Sequence, residues 1–350
     1  MGRDQGLEQV MTGRRSDDKP HTVKRVVITV VVLLCITLAV LVFFHNNPLD
    51  DPGTARLKKI SGISLITVSC VLFCIFFDQL KVIPVELLQS RKLIWKLAKN
   101  DFKKRYAGSY LGAVWALAQP VVTVLMYWIV FDKVFNTRSQ MVASGVEVPY
   151  VLFLTAGLVP WFFFQEAMNH GMMAMIEYNY LVKKVVFNIS VLPIIKVIGA
   201  WFTHAFFTVI LLTVASFYGY YPTVYTIQII YYSLCLFLLV LALSYINCAI
   251  VVFFRDLQQI VAIMLQIGMW ATPILWDIHM VPDPLKPIFK LNPMVYIVNG
   301  FRFSVYGDEW FWQHFYSSAY FWILLFLLYT VGGMMFKKLK VHFADVLLSA

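Results

Sequence analysis

Residues 91–131 read RKLIWKLAKNDFKKRYAGSYLGAVWALAQPVVTVLMYWIVF, and within this stretch the chain changes its solvent. In the first half Ile94, Trp95, Ala98, Phe102 and Tyr106 fall mostly three or four apart, while Lys92, Lys96, Lys99, Lys103 and Lys104 occupy much of the remaining circumference. A helix of this kind lies in the headgroup plane, aromatic side down and lysines toward phosphate. From Tyr110 to Phe131 there is no charge at all. That run is long enough to enter the hydrocarbon layer as a helix. The stretch therefore reads as an interfacial helix feeding a membrane span, with Trp95, Phe102, Lys103, Lys104, Arg105 and Tyr106 as candidate contacts to anionic lipid.

Working outward, further apolar runs predict seven more helices, at 26–44, 60–77, 148–165, 195–218, 227–254, 257–276 and 318–336. Composition agrees: 60% of the residues are hydrophobic and 14% charged, against about 45–50% and about 25% in soluble domains. Mean hydropathy is +0.72. The expected fold is an all-α, polytopic membrane protein. One boundary is expected, between a leader, hairpin and linker at 1–83 and a core of interfacial helix and six spans at 84–350.

The net charge of +10 does not call for nucleic acid. With both termini placed inside, 21 lysines and arginines fall in inner segments and 8 in outer ones. This is the bias that orients membrane helices, and anionic headgroups suffice as its partner. The cysteines Cys35, Cys70, Cys74, Cys235 and Cys248 lie in apolar runs without metal-ligand or disulfide spacing. They read as packing residues.

The chemistry-bearing motifs of enzymes are missing from the sequence. There is no GxxxxGK[ST], HExxH or GxSxG, so no catalytic residue, metal ligand or cofactor is assigned to this chain. Ionisable groups near the spans are few: Lys196, Glu166 and Glu177 at inner ends, and His204, read as a neutral hydrogen-bonded histidine. Ion-coupled carriers place such groups inside the membrane. Their thin supply favours an energy source on another subunit.

From about residue 91 onward the chain resembles the permease subunit of type-two ABC exporters of polysaccharides and polyol phosphates, the family that exports O-antigen, capsule or teichoic-acid polymers. In the opening stretch Arg105, Tyr106, Gly108, Ser109, Leu111, Gly112, Trp115, Pro120 and Phe131 fit its pattern. So do GLVPWFFFQEAMNHGMMAMIEYNYLVKKVVFNISVLP, FFRDLQQIVAIMLQIGMWATPILW, LNPMVYIVNGFRFSVYG and FKKLKVHFADVL, in that order. The sequence departs where Phe187 is followed by Asn188 instead of proline, and the hairpin 26–77 lies outside the usual pattern.

The resemblance implies a bacterial cytoplasmic-membrane permease, a homodimer associated with two separate ATPase subunits that bind the ATP and magnesium. Tyr180, Leu181, Lys183 and Lys184, with the short turn Arg255–Asp256, are then the candidates for coupling to the ATPase. Tyr110, Trp115 and Tyr127 are candidates to line the conduit, because the first core span resembles one at the family's dimer interface. The cargo would be a lipid-linked glycan or polyol-phosphate polymer. The alternatives are an exporter of small amphiphiles, an ion-coupled carrier, or a membrane glycosyltransferase.

Overall fold

The computed structural model describes residues 18–44, 52–80, 82–105, 108, 110, 112–135, 140–141, 147–182 and 188–349. Apart from a two-residue antiparallel ladder, β1 (Gln140–Met141) with β2 (Glu147–Val148), the described regular structure is helical. Helices are the natural solution here, because in lipid every backbone amide and carbonyl must be satisfied within the segment. Side-chain hydroxyls in the spans follow the same rule. Thr155, Thr208, Ser216 and Thr330 each donate to the carbonyl four residues back, at 2.6 to 2.9 Å.

The chain divides into two compact units, Met1–Phe77 and Asp78–Ala350. The first holds α1 (Asp18–Phe44) and most of α2 (Pro52–Leu80). Among its described residues Val42, Ile66 and Phe77 are buried, with Val42 lying over Gly62. Leu33, Leu34, Phe43 and Ile75 are exposed, as suits two helices whose solvent is lipid.

In the second unit the interfacial segment forms two pieces, α3 (Val82–Gln89) and α4 (Arg91–Arg105). A turn at Gly108 and Gly112 leads to a 3₁₀ segment and α5 (Trp115–Trp128), which ends in a π-helical stretch, Ile129–Val134. There follow α6 (Tyr150–Glu177), α7 (Asn179–Val182), α8 (Leu192–Phe217), α9 (Gln228–Val251) and α10 (Leu257–Ala271). The last elements are α11 (Lys286–Lys290), α12 (Pro293–Tyr306), α13 (Phe315–Leu339) and α14 (Phe343–Ser349).

At the centre, α6 packs on α8, α9 and α12, while α9 also carries α13. Close approach is set by small residues, the usual device where lipid removes any hydrophobic drive between helices. Gly171 of α6 faces Ser244 of α9, Gly300 of α12 lies under the ring of Tyr232, and a Cβ on Gly332 of α13 would stand 3.1 Å from the carbonyl of Ala242.

Among the described residues six helices are long and apolar enough to cross a membrane, two of them α1 and α2. The other two predicted spans are shorter apolar helices, Val121–Phe131 and Leu257–Ala271. The fifteen residues of α10 rise about 22 Å, less than the hydrocarbon thickness of about 30 Å. It ends because Thr272 turns extended and bonds back to Gly268, and not at 276 as expected. The helix expected over 148–165 instead continues to Glu177. Gln165, Glu166 and His170 lower the hydropathy there without interrupting the helix.

Gly108 and Gly112 have φ of +84° and +54°, and nothing lies within 4 Å of a Cβ added at either. Only backbone strain then separates substitutions at these sites. Gly108→Val should cost about 1–2 kcal/mol, whereas Gly108→Asn should stay close to the parent because asparagine tolerates positive φ. Unfolding of the purified variants in mixed micelles measures the difference.

Candidate functional site

Among the described residues of the second unit, the most concentrated polar chemistry lies where α4, the end of α6 and the start of α8 meet. On α4 the positions Ile94, Ala98, Asp101 and Arg105 recur at helical spacing, and the first three are buried. This face packs on α8, where Gly199 leaves room: a Cβ there would stand 3.0 Å from Arg105 Nη2 and 3.5 Å from Asp101 Oδ2. Trp95 and Phe102 each meet the ring of Phe202 on α8, with centroids 5.5 Å apart. Lys92, Lys96, Lys99, Lys103 and Lys104 are exposed on the opposite side.

Asp101 is the hub. Its Oδ1 accepts from Lys196 Nζ at 2.6 Å and from the hydroxyl of Tyr178 at 2.7 Å. Its Oδ2 accepts from Arg105 Nη2 at 3.0 Å and Nε at 3.2 Å. Arg105 reaches on to Glu166 Oε1 at 3.2 Å, and Lys196 also pairs with Glu177 while its ammonium stands 4.6 Å over the Tyr178 ring. Asp101 is 6% exposed and Lys196 4%. Burying either charge alone would be costly, so each requires the other.

Burial pushes the Asp101 carboxyl up, but the hydrogen bonds from Lys196 and Tyr178 and the charges of Lys196 and Arg105 outweigh it and hold the carboxyl below its usual range. For Tyr178, burial and then the bond to Asp101 push the phenol well above its usual value. The carboxylate is thus ionised and the phenol protonated, as the donor and acceptor roles require.

From this hub the chain passes directly into α7. Tyr180 is half exposed, its ring 6.1 Å from that of Tyr178, and Leu181 is partly buried. Lys183, Lys184 and Tyr106 lie outside the described residues. Arg255 and Asp256 are exposed in the turn between α9 and α10. Just before them, Phe253 meets Phe343 of α14 at 6.0 Å, and α14 also contacts α7. The helix α14 therefore brings the segment of Tyr180 and Leu181 and the Arg255–Asp256 turn to one end of the unit.

The other candidates sit elsewhere. Tyr110 and Trp115 are exposed; Tyr127 is partly buried, 6.1 Å from Phe131, which packs on Tyr150. His204 is buried on α8 and shares a 3.0 Å hydrogen bond with Ser233. Asp101 was hidden among the lysines of the opening stretch. Its signal was positional, an acid three residues after Ala98 and seven after Ile94, on the apolar stripe.

The family model of the ABC-2 type transporter matches residues 92–306, a span that contains every member of this ion network. The chain belongs to that family and is a multi-pass membrane permease. It is 31% identical over 223 residues to the O-antigen export system permease protein RfbA of Myxococcus xanthus, covering 63% of this chain and 83% of that protein. With a protein of the same description from Klebsiella pneumoniae it shares 29% identity over 263 residues, 73% of this chain and 95% of the relative.

Two predictions follow from the hub geometry. Asp101→Ala and Lys196→Ala should each destabilise by about 3 kcal/mol, the double variant by clearly less than the sum, because a single truncation strands a buried charge. A folded-state carboxyl held below its unfolded value contributes stability above the ordinary carboxylate range that is lost as pH falls through the lower value. The difference between parent and Asp101→Ala in micelle unfolding should therefore shrink in acid. Separately, Gly199→Leu should displace Arg105 and loosen α4, read as faster proteolysis within residues 91–105.

Proposed function

We propose that this chain is the membrane subunit of an ATP-driven exporter that carries a lipid-linked polysaccharide or polyol-phosphate polymer outward across the bacterial cytoplasmic membrane. Two copies would form the conduit, with both termini inside, and two separate ATPase subunits would bind ATP and magnesium. Family membership and the export role in the relatives' names support this reading. The observation that carries the mechanism is the direct linkage between α7 and the Asp101–Lys196 hub.

In this reading the exposed Tyr180 and partly buried Leu181 meet the ATPase, an apolar contact flanked by lysines. A displacement of α7 would reach α4 and α8 through Tyr178 and Glu177, over hydrogen bonds and ion pairs, with no loop intervening. The lysine face of α4 would lie against anionic headgroups and receive the cargo's pyrophosphate anchor. Tyr110, Trp115 and Tyr127 would face the conduit formed with the second copy.

Copurification and export assays test this directly. Leu181→Glu should lower recovery of the ATPase or separate ATP hydrolysis from polymer export, with the unfolding transition unchanged. If partner recovery and export both survive in that variant, α7 is not the coupling element. An absence of any ATPase partner, with export independent of ATP, removes the exporter reading itself.

A further inference from the structure

At the far end of α8 from Lys196 the chain carries an aromatic structure that the coupling mechanism does not use. Residues 307–314, GDEWFWQH, connect α12 to α13 and begin directly after the segment matched by the family model. Within it Trp310 and Trp312 stack nearly parallel, with centroids 4.5 Å apart and planes 8° apart. Tyr225, in the 3₁₀ turn just before α9, lies tilted against Trp310 at 5.1 Å. Trp312 ends this column and is 55% exposed.

The loop is held in place from α9. The Gln228 side chain brackets Trp310, donating to the carbonyl of Glu309 at 2.9 Å and accepting from the amide of Phe311 at 2.7 Å. The Trp310 amide in turn donates to Gln313 Oε1 at 3.0 Å. Phe311 stacks on Tyr231 at 4.2 Å and meets the Trp312 ring edge to face at 4.9 Å, bracing it from the side. An exposed indole fixed this firmly is a preorganised surface.

Two chemical features choose its ligand. The negative face of an indole attracts the weakly positive C–H groups that line one side of a pyranose ring. The same loop carries Asp308, exposed, and Glu309, paired to His314 at 2.8 Å, and it has no lysine or arginine. Carboxylates accept hydrogen bonds from sugar hydroxyls but repel phosphate, whether it belongs to a lipid headgroup or to a phosphodiester polymer.

We infer that Trp312, stacked on Trp310 in the loop that carries Asp308, forms a subsite for a neutral sugar ring of the transported polymer. This rests on the exporter reading and narrows it, placing a neutral glycan ahead of a polyol phosphate as cargo. The subsite lies at the opposite end of the bundle from the ion network, where a polymer would leave.

Saturation-transfer NMR on the full chain in lipid nanodiscs tests it, with methyl β-D-glucopyranoside, methyl β-D-galactopyranoside, methyl α-D-mannopyranoside and glycerol 3-phosphate as probes. At least one pyranoside should receive saturation at its ring C–H protons, and glycerol 3-phosphate should not. Trp312→Ala should weaken that signal about fivefold, the loss of one ring-stacking contact, and Trp312→Phe should retain most of it. No pyranoside signal, or one unchanged in Trp312→Ala, overturns the subsite, as does a stronger signal from glycerol 3-phosphate. Strong quenching of Trp312 fluorescence by brominated lipid, taken as parent minus Trp312→Ala, also overturns it by placing the ring in a membrane belt. Surface polymer separates the two readings. If a strain lacking the chain still displays polymer, the exporter reading falls; if polymer is lost but no pyranoside binds, only the subsite falls.

Discussion

A lysine withdrawn from water among helices must be met by negative charge, and Lys196 constrains everything around it. Its two carboxylates come from different places: Glu177 from the end of α6, Asp101 from a surface helix ninety-five residues earlier in the sequence. Desolvating these groups is unfavourable, and their mutual attraction compensates only with good geometry and every lone pair occupied. The four hydrogen bonds to Asp101 meet that condition. The rotation of α4 about its own axis is fixed as a result. Turning it by one residue would put Asn100 or Phe102 where Asp101 stands and leave Lys196 without that carboxylate.

The spans were legible because lipid imposes a length and a composition that can be read locally. The end of α6 was not, since its polar residues find partners across the fold: Glu166 is met by Arg105, sixty-one residues away. A hydropathy average sees the polar residue and not its partner. The same limit applied to α4. Its amphipathic spacing was plain, but the sequence suggested that the apolar stripe faces lipid, whereas Ile94 and Ala98 face α8 and Asp101 continues the stripe. The glycines that fitted the family pattern proved easier to explain. Gly108 and Gly112 are where the chain must adopt positive φ to turn from the membrane surface into the bundle.

At the opposite end of the bundle the polar contacts are of another kind. There Arg302 of α12 is buried; its Nη2 donates to the carbonyl of Ile274 at 2.9 Å, and its guanidinium lies 3.5 Å over the Phe153 ring. The carbonyl belongs to the turn that follows α10, so the arginine ties α12 to the break that shortens that helix. At this end Arg302 and Gln228 thus grip backbone groups, whereas the other end is held by the ion pairs of Asp101 and Lys196.

Tyr232 sits so close over Gly300 that its ring occupies the space of a missing Cβ. The two helices are keyed together: α12 cannot spin against α9 without driving that ring out of a fully packed interior. Gln228, one turn before Tyr232, holds the loop that follows α12 in the same grip. Whatever widens this end must therefore carry α9, α12 and the tryptophan loop as one rigid piece, and the bending falls to the connections outside that piece.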